Sequence, residues 1–539
     1  MLQRIFLSFF LLTLLAASFS SSQAQGYTVT DLGSLGGNSF GNAINNQGQV
    51  AGHSYLADGT TRHAFLWDSV LGLQDLGAPS GFSSIAWSIN DYSHIVGGLY
   101  STGADHAFYW SSALGIVDLG SAGYAYCAAD SINDADTFVG WFTNGTGAET
   151  DRRGWRHTGP SAINATDSLG TLANGGGSTA TSINEADAVT GYALDASGNW
   201  HPIVWDSSGA LSDLGSLGGS GGYPEATKMN SAGNVVGSGV IPSGTADAFL
   251  YSQSTLNDLG TLPGLPYASA MDINDANEIV GLASTVYAFG IVPGATIHGF
   301  IWSNGQMQDL NHLIPSASGW LFEEAHAINA GGQIAGTGYN GTQHHALRLD
   351  PIVPQTLTLR PSTTVGGKTA QATVTLSAPA VVDAVVYLTS QNAAAIVPAT
   401  VIVHAGSATA SFPIKTSAVA SSVTGQITAY DRVMVSAPIT VRPIGVKSVG
   451  LSPTTVVGGN AVSGAVTLEA PAAPGNITVN LSSTDPAVAN PAVSSIIIPA
   501  GSLTGTFTVN TSAVSASTTV TIKASADGIT KGKSLKVTP

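Results

Sequence analysis

Charge and sulfur are scarce in this sequence. Of 539 residues, only 9% are Asp, Glu, Lys or Arg, five are methionine and one is cysteine. A single thiol, Cys127, excludes an intramolecular disulfide, so the folded chain rests on its cores alone. Basic residues are fewer than acidic ones, 17 against 33, for a net charge of -16. That balance argues against a nucleic acid or an anionic membrane as partner, since both require a basic face. Runs with a 3.6-residue apolar period are missing, which excludes a protein of long amphipathic helices. Only one long apolar run exists, from Ile5 to Ala17, broken by Ser8 and Thr13. It falls short of the roughly 20 residues that span a bilayer. With Arg4 before it and Ser22-Gln23-Ala24 after it, it reads as an export signal over residues 1–25. Cys127 is too distant to carry a lipid at that signal, and no membrane insertion is expected once the signal is removed.

What the chain has instead is glycine (65 residues), a hydrophobic fraction of 43%, and repetition. An Ile-Asn or Met-Asn step recurs at Asn45, Asn90, Asn133, Asn184, Asn230, Asn274 and Asn329. Glycine follows seven residues later, at Gly52, Gly97, Gly140, Gly191, Gly237, Gly281 and Gly336. Between them lies a hairpin turn whose last position favours a left-handed backbone: Gly48, Ser93, Asp136, Asp187, Gly233, Asn277 and Gly332. Six of these seven are residue types that adopt it readily; Ser93 departs. Four places before each Asn stands a small residue: Gly41, Ala86, Ala129, Ala180, Ala226, Ala270 or Ala325. A strand that must be small at one point in every repeat fits units converging on an axis.

Each unit continues with an apolar strand, HAFLW from His63 in the first, and an Asp-Leu-Gly turn, as at Asp75. The third unit is degenerate, with RGWRH from Arg153 and DSLG from Asp167. Four short strands in roughly 45 residues predict a propeller blade. The opening YTVTDLG supplies the outer strand that the last HALRL lacks, and such overlap predicts a seven-bladed β-propeller over residues 26–353. DLGSLGG, INNQGQVAG and HAFLW resemble the bacterial extracellular HAF-repeat family, named for its His-Ala-Phe signature. The resemblance covers residues 27 to about 350. It implies an extracellular location and brings no enzymatic activity or catalytic residue.

Beyond Pro351 and Pro354 the repeat stops. LRPSTTVGGKTAQATVTLSAPA from Leu359 parallels LSPTTVVGGNAVSGAVTLEAPA from Leu451, so two similar domains are expected at 354–443 and 444–539. Alternating Val, Ile and Thr with Gly or Pro turns predicts seven-strand immunoglobulin-like β-sandwiches, and the segments resemble bacterial immunoglobulin-like surface modules.

The recurrent histidines His63, His106, His201, His298 and His345 invite a metal reading. At equivalent places in different units they stand too far apart to share an ion, so a structural role is expected, such as a hydrogen bond between blades. The repeated Asp and Asn are expected to satisfy turn backbones. Asp134 and Asp136 lack the spacing of a calcium loop. No cofactor and no metal site is expected, with calcium at these acidic turns kept as the one alternative.

Loops entering the first strand of each unit carry aromatic residues: Phe82, Tyr126, Tyr223, Tyr267, Trp320 and Phe322. At the mouth of a channel they would stack on sugars or on side chains of a partner, with Glu225, Glu324 and His326 adding polar contacts. The competing reading is that these rings fill space between units. The expectation is a secreted or cell-surface binding or adhesion module, not an enzyme, whose head recognises a polysaccharide or an extracellular protein. An envelope or matrix component is the first alternative. A carbohydrate-active enzyme using Glu225, Glu323 and Glu324 is the second.

Overall fold

The computed structural model describes residues 26–144, 151–219, 225–287, 291–472 and 475–539; the expected export signal and Tyr223 lie outside them. The chain forms two compact units that divide between Ile352 and Val353.

The first unit is built from seven small antiparallel sheets. In the first sheet, Gly36–Ile44, Val50–Leu56, Arg62–Asp68 and Gly72–Gly77 follow one another in order. The Asn of each repeat ends the first strand and starts the hairpin. Asn45 N–H donates to the Gln49 carbonyl and Gly48 N–H to the Asn45 carbonyl. The turn's last residue is left-handed in all seven sheets, Ser93 included, with φ between 56° and 79°. A left-handed residue closing the turn lets the second strand return antiparallel to the first.

A bulge interrupts every first strand just after the small residue. Ala86 pairs with Gly97 and Ser88 with Val96, so Trp87 is skipped, and the same shift recurs in the other six sheets. The bulge turns a carbonyl onto the glycine of the second strand. A Cβ on Gly97 would stand 2.0 Å from the Ile85 oxygen and 2.7 Å from the Phe108 ring. The invariant glycine is therefore explained by a close backbone approach and by the aromatic residue packed over it.

The last sheet is finished from the start of the chain, as the opening segment predicts: Tyr27–Asp31 pairs antiparallel with His344–Pro351. The expectation of a seven-bladed β-propeller is nevertheless corrected. The chain is an all-β protein of many small, open antiparallel sheets, none of which closes on itself. The seven are not equivalent either. Among the described residues the third has three strands, with an isolated bridge between Trp155 and Ser168 where a fourth was expected. The degenerate DSLG is the cause: Asn164 caps a 3-10 turn at Ala165–Asp167, so the backbone curls where other repeats extend.

The second unit contains two immunoglobulin-like sandwiches. In each, a four-stranded sheet faces a five-stranded one, so the seven strands expected per sandwich become nine. The added elements are short, such as Thr363–Val365, which pairs parallel with Met434–Arg442. Thr369–Leu376 alternates exposed and buried positions along its length, the signature of a sheet with one face on the core. Val466, Val479, Ile522, Leu535 and Val537 form part of the second sandwich's core.

Candidate ligand-binding cavity

The seven asparagines do more than satisfy their own turns. Asn133 Oδ1 accepts from Ala135 N–H and Thr137 N–H, while its Nδ2 donates to the carbonyl of Asn184 in the next sheet. The same inter-sheet bond runs from Asn45 to Asn90, Asn90 to Asn133, Asn184 to Asn230, Asn230 to Asn274 and Asn274 to Asn329. Asn329 donates to Asn45, so the relay returns to its start. The next residue in each turn extends the pattern. Asp91, Asp134, Glu185 and Asp275 each accept a backbone N–H from the neighbouring turn. A recess of about 260 Å³ lies among these turns, its acidic side chains already engaged.

A larger cavity, about 600 Å³, is lined by the residues that the bulges expel. Asn42, Trp87, Asp130, Thr181, Thr227, Met271 and His326 are the skipped residues of the seven sheets, and every one of them lines it. A bulge re-aims a side chain, and here seven bulges aim theirs at a common space. Several are locked to the next sheet: Asn42 Nδ2 donates to the Ala86 carbonyl, Thr181 Oγ1 to Ala226 and Thr227 Oγ1 to Ala270, each at 2.7 Å. Trp87 Nε1 donates to the Tyr100 hydroxyl at 3.0 Å.

Phe40, His53 and Tyr55 make an aromatic wall beside Trp87. His53 stacks on Phe40 at 4.9 Å. Burial, helped by the charges of Arg62 and His326, holds His53 near a pKa of about 3, so the ring is neutral. Burial raises Asp130 to about 7 against the pull of Arg152 and Lys228. Lys228 also faces Asp272, which burial raises and whose carboxylate accepts from Ile273 N–H and Ile328 N–H. Glu324 is 3% exposed; its Oε2 lies 3.2 Å from His326 Nε2, and its Oε1 has no hydrogen-bond partner among the described residues.

Of the site residues expected from sequence, Glu225, Glu324 and His326 line this cavity. The aromatic set is not brought together there. Phe82 packs on His106 and Trp320 on His345, both at 5.3 Å. Tyr267 packs on Tyr287 at 5.9 Å, and Tyr126 stays 40% exposed. Phe322 is fully buried with its ring over Gly336, a core residue rather than a contact residue. Glu323 is drawn to His344 at 3.0 Å, and its carboxyl is raised to about 7 by burial and the nearby Glu324. Sequence reasoning missed Asn42, Trp87, Asp130, Thr181, Thr227 and Met271. Their signal is a position, three residues before each repeat Asn, where seven units hold six different residue types.

The recurrent histidines also pair within a sheet, not between sheets as expected. His63 Nδ1 meets Asp75, His106 meets Asp118 and His345 meets Asp31, each at 2.9 Å. His201 with Asp213 and His298 with Asp309 repeat the contact. The same Asp75 accepts from Gly77 N–H, so one carboxylate holds both strand and turn. Among the described residues no group of three metal-ligating side chains gathers.

No family model matches the chain, and no curated protein matches it. Among solved structures it is similar to the D0-D1 domain of intimin, at 11% identity, covering 35% of this chain and 100% of that one, with a TM-score of 0.15. Domains 4 and 5 of the S-layer protein SbsC align at 20% identity over 34% of this chain and 98% of theirs, TM-score 0.16. Titin domains I67–I69 align at 10% identity over 49% and 88%, TM-score 0.17. Likeness at these scores carries no argument about ligand or activity. The fold rests on the chain's own strands: an all-β protein of small antiparallel sheets with an immunoglobulin-like second unit.

Proposed function

We propose that this chain is an exported, non-enzymatic binding protein, secreted or held at the cell surface, akin to the HAF-repeat proteins. Its first unit takes a polysaccharide or a group of an extracellular protein into the 600 Å³ cavity, and its two sandwiches act as spacers. One observation carries the reading. The repeat holds its Asn, its Gly and its small residue nearly constant, yet the expelled residue changes from Asn to Trp, Asp, Thr, Met and His. A repeated scaffold that varies where its side chains meet a common cavity is suited to recognition. No helix among the described residues is long and apolar enough to cross a membrane.

The test incubates the full chain with immobilised polysaccharides and extracellular proteins, reading both retained chain and released reducing sugar. Retention without sugar release, lost on Trp87→Ala or Thr181→Val, is the expected result. Retention unaffected by either substitution moves the site elsewhere, and released sugar replaces binding with hydrolysis.

A further inference from the structure

The net charge of the whole chain conceals an asymmetry. The second unit, Val353–Pro539, carries ten Lys or Arg against five Asp or Glu, whereas the residues before it carry seven against 28. We infer that the second sandwich is a docking surface for a linear acidic polysaccharide, held through Lys523, Lys531, Lys533 and Lys536 on its last hairpin. All four are exposed, on the strands Thr518–Ala526 and Ile529–Thr538. Asp527, in the turn, is the one carboxylate between Thr518 and Thr538. Lys447, also exposed, lies close by. An added Cβ on Gly445 would stand 2.6 Å from the Ile529 side chain, so Val446–Ser452 starts at the corner where Ile529–Thr538 starts. Among the described residues none of these five ammonium groups makes an ion pair, whereas Glu469 is already bound by Arg442 at 2.6 and 2.9 Å.

The sandwich does not need these charges in order to fold. Val537 pairs with Thr518 as Val441 pairs with Val423 in the first sandwich, which matches the four lysines to Thr428, Val435, Ala437 and Thr440. The duplicated hairpin therefore forms with no charge at the same four places. Lysine on a free strand edge also deters pairing between sheets. That role covers Lys531 and Lys533, but Lys523 lies on an inner strand and Lys536 pairs with Thr455.

The class of partner follows from what accompanies the charge. Phe507 is the second sandwich's only aromatic residue and it is buried, so no exposed ring can stack on a base or a neutral sugar. Contact is left to charge, which suits a polymer of regularly spaced carboxylates. Lys531 and Lys533 share the face of Leu535, while Lys523 and Lys536 lie on the opposite one. Charge on both faces of one hairpin suits a chain running along its edge rather than a flat bilayer.

Affinity chromatography of the full chain on immobilised polygalacturonate, with the fully methyl-esterified polymer as neutral control, tests this. The expected result is retention on the acidic polymer alone at about 20 mM salt, with release by about 0.5 M, where screening removes a contact made by charge. That contrast is read on the unaltered chain, so it does not depend on a variant folding. Combining Lys523→Gln, Lys531→Gln, Lys533→Gln and Lys536→Gln should abolish the retention, and arginine at the same four places should preserve it. Equal retention on both polymers, or retention that survives the four glutamines, overturns the inference. So does failure to bind the acidic polymer, loss of retention with the four arginines, or preferential binding to anionic phospholipid vesicles. None of these outcomes bears on the first unit's cavity, which the Trp87→Ala and Thr181→Val variants judge separately.

Discussion

Replacing Asn133 with alanine removes four hydrogen bonds from one buried point. The side chain is 1% exposed; it accepts from Ala135 N–H at 3.1 Å and Thr137 N–H at 3.0 Å. It donates to the Asn184 carbonyl at 3.2 Å and to Asp187 Oδ1 at 2.9 Å. At roughly 1 kcal/mol per bond, and more for groups left unsatisfied away from water, Asn133→Ala should cost about 3–5 kcal/mol. Asn340 is the control: it makes a comparable turn, accepting from Thr342 N–H and Gln343 N–H at 2.9 Å, but its turn is solvent-exposed. Asn340→Ala should cost about 1 kcal/mol. All nine tryptophans precede residue 353, so urea unfolding followed by tryptophan fluorescence reports the first unit alone. Equal losses for the two variants would refute the view that the relay ties the sheets together.

Gly97→Ala places a methyl 2.0 Å from a carbonyl oxygen and should lower the same urea midpoint by an amount equivalent to about 3 kcal/mol. Gly170→Ala, with nothing within 4 Å of the added carbon, should leave it within about 0.5 kcal/mol. The fifth sheet has Asp247 in place of the recurrent histidine, facing Asp258, and burial followed by the Asp258 charge raises Asp247 from 3.8 to about 6. The native state therefore holds a proton that the unfolded chain has lost, so this pair's contribution is full below pH 4 and disappears as pH rises through 6. Asp247→His restores the histidine–aspartate pair and should raise the melting temperature at pH 8, with little or no gain at pH 5. Burial pushes the Cys127 thiol far up, so iodoacetamide should label it only when the first unit is unfolded.

Local features were legible where one residue's chemistry sufficed. Asn followed three places later by a left-handed residue is a turn wherever it occurs, and even Ser93 adopts the required backbone because its neighbours impose it. The pairing of Tyr27–Asp31 with the final strand was readable from the count of elements. Misreadings arose where two elements had to be combined. The histidine and the Asp-Leu-Gly aspartate were each recognised as structural, but twelve residues separate His63 from Asp75, and only strand register brings them together. The bulge was the larger omission. A strict two-residue period places Trp87 and Asp130 on an ordinary strand face, whereas the skipped pairing expels them towards the cavity. Phe322 reads as a loop aromatic from its place ahead of the first strand of its unit; it instead lies within the strand Leu321–Ile328 and packs over Gly336.

The pairing of the opening strand with the last one also sets a schedule. Asp31 and its partner His345 are 314 residues apart, and closing a flexible loop of that length costs about 5 kcal/mol of chain entropy. During synthesis at about 5–20 residues per second, the opening strand waits between roughly 15 and 60 seconds for its partner to emerge. Until then the opening strand itself is unpaired, since its one neighbour in the sheet is His344–Pro351, and it stays open to intermolecular association. The first unit therefore cannot complete itself until nearly all of its residues have been made, so a truncated first unit lacks not one repeat but the closure of its first strand.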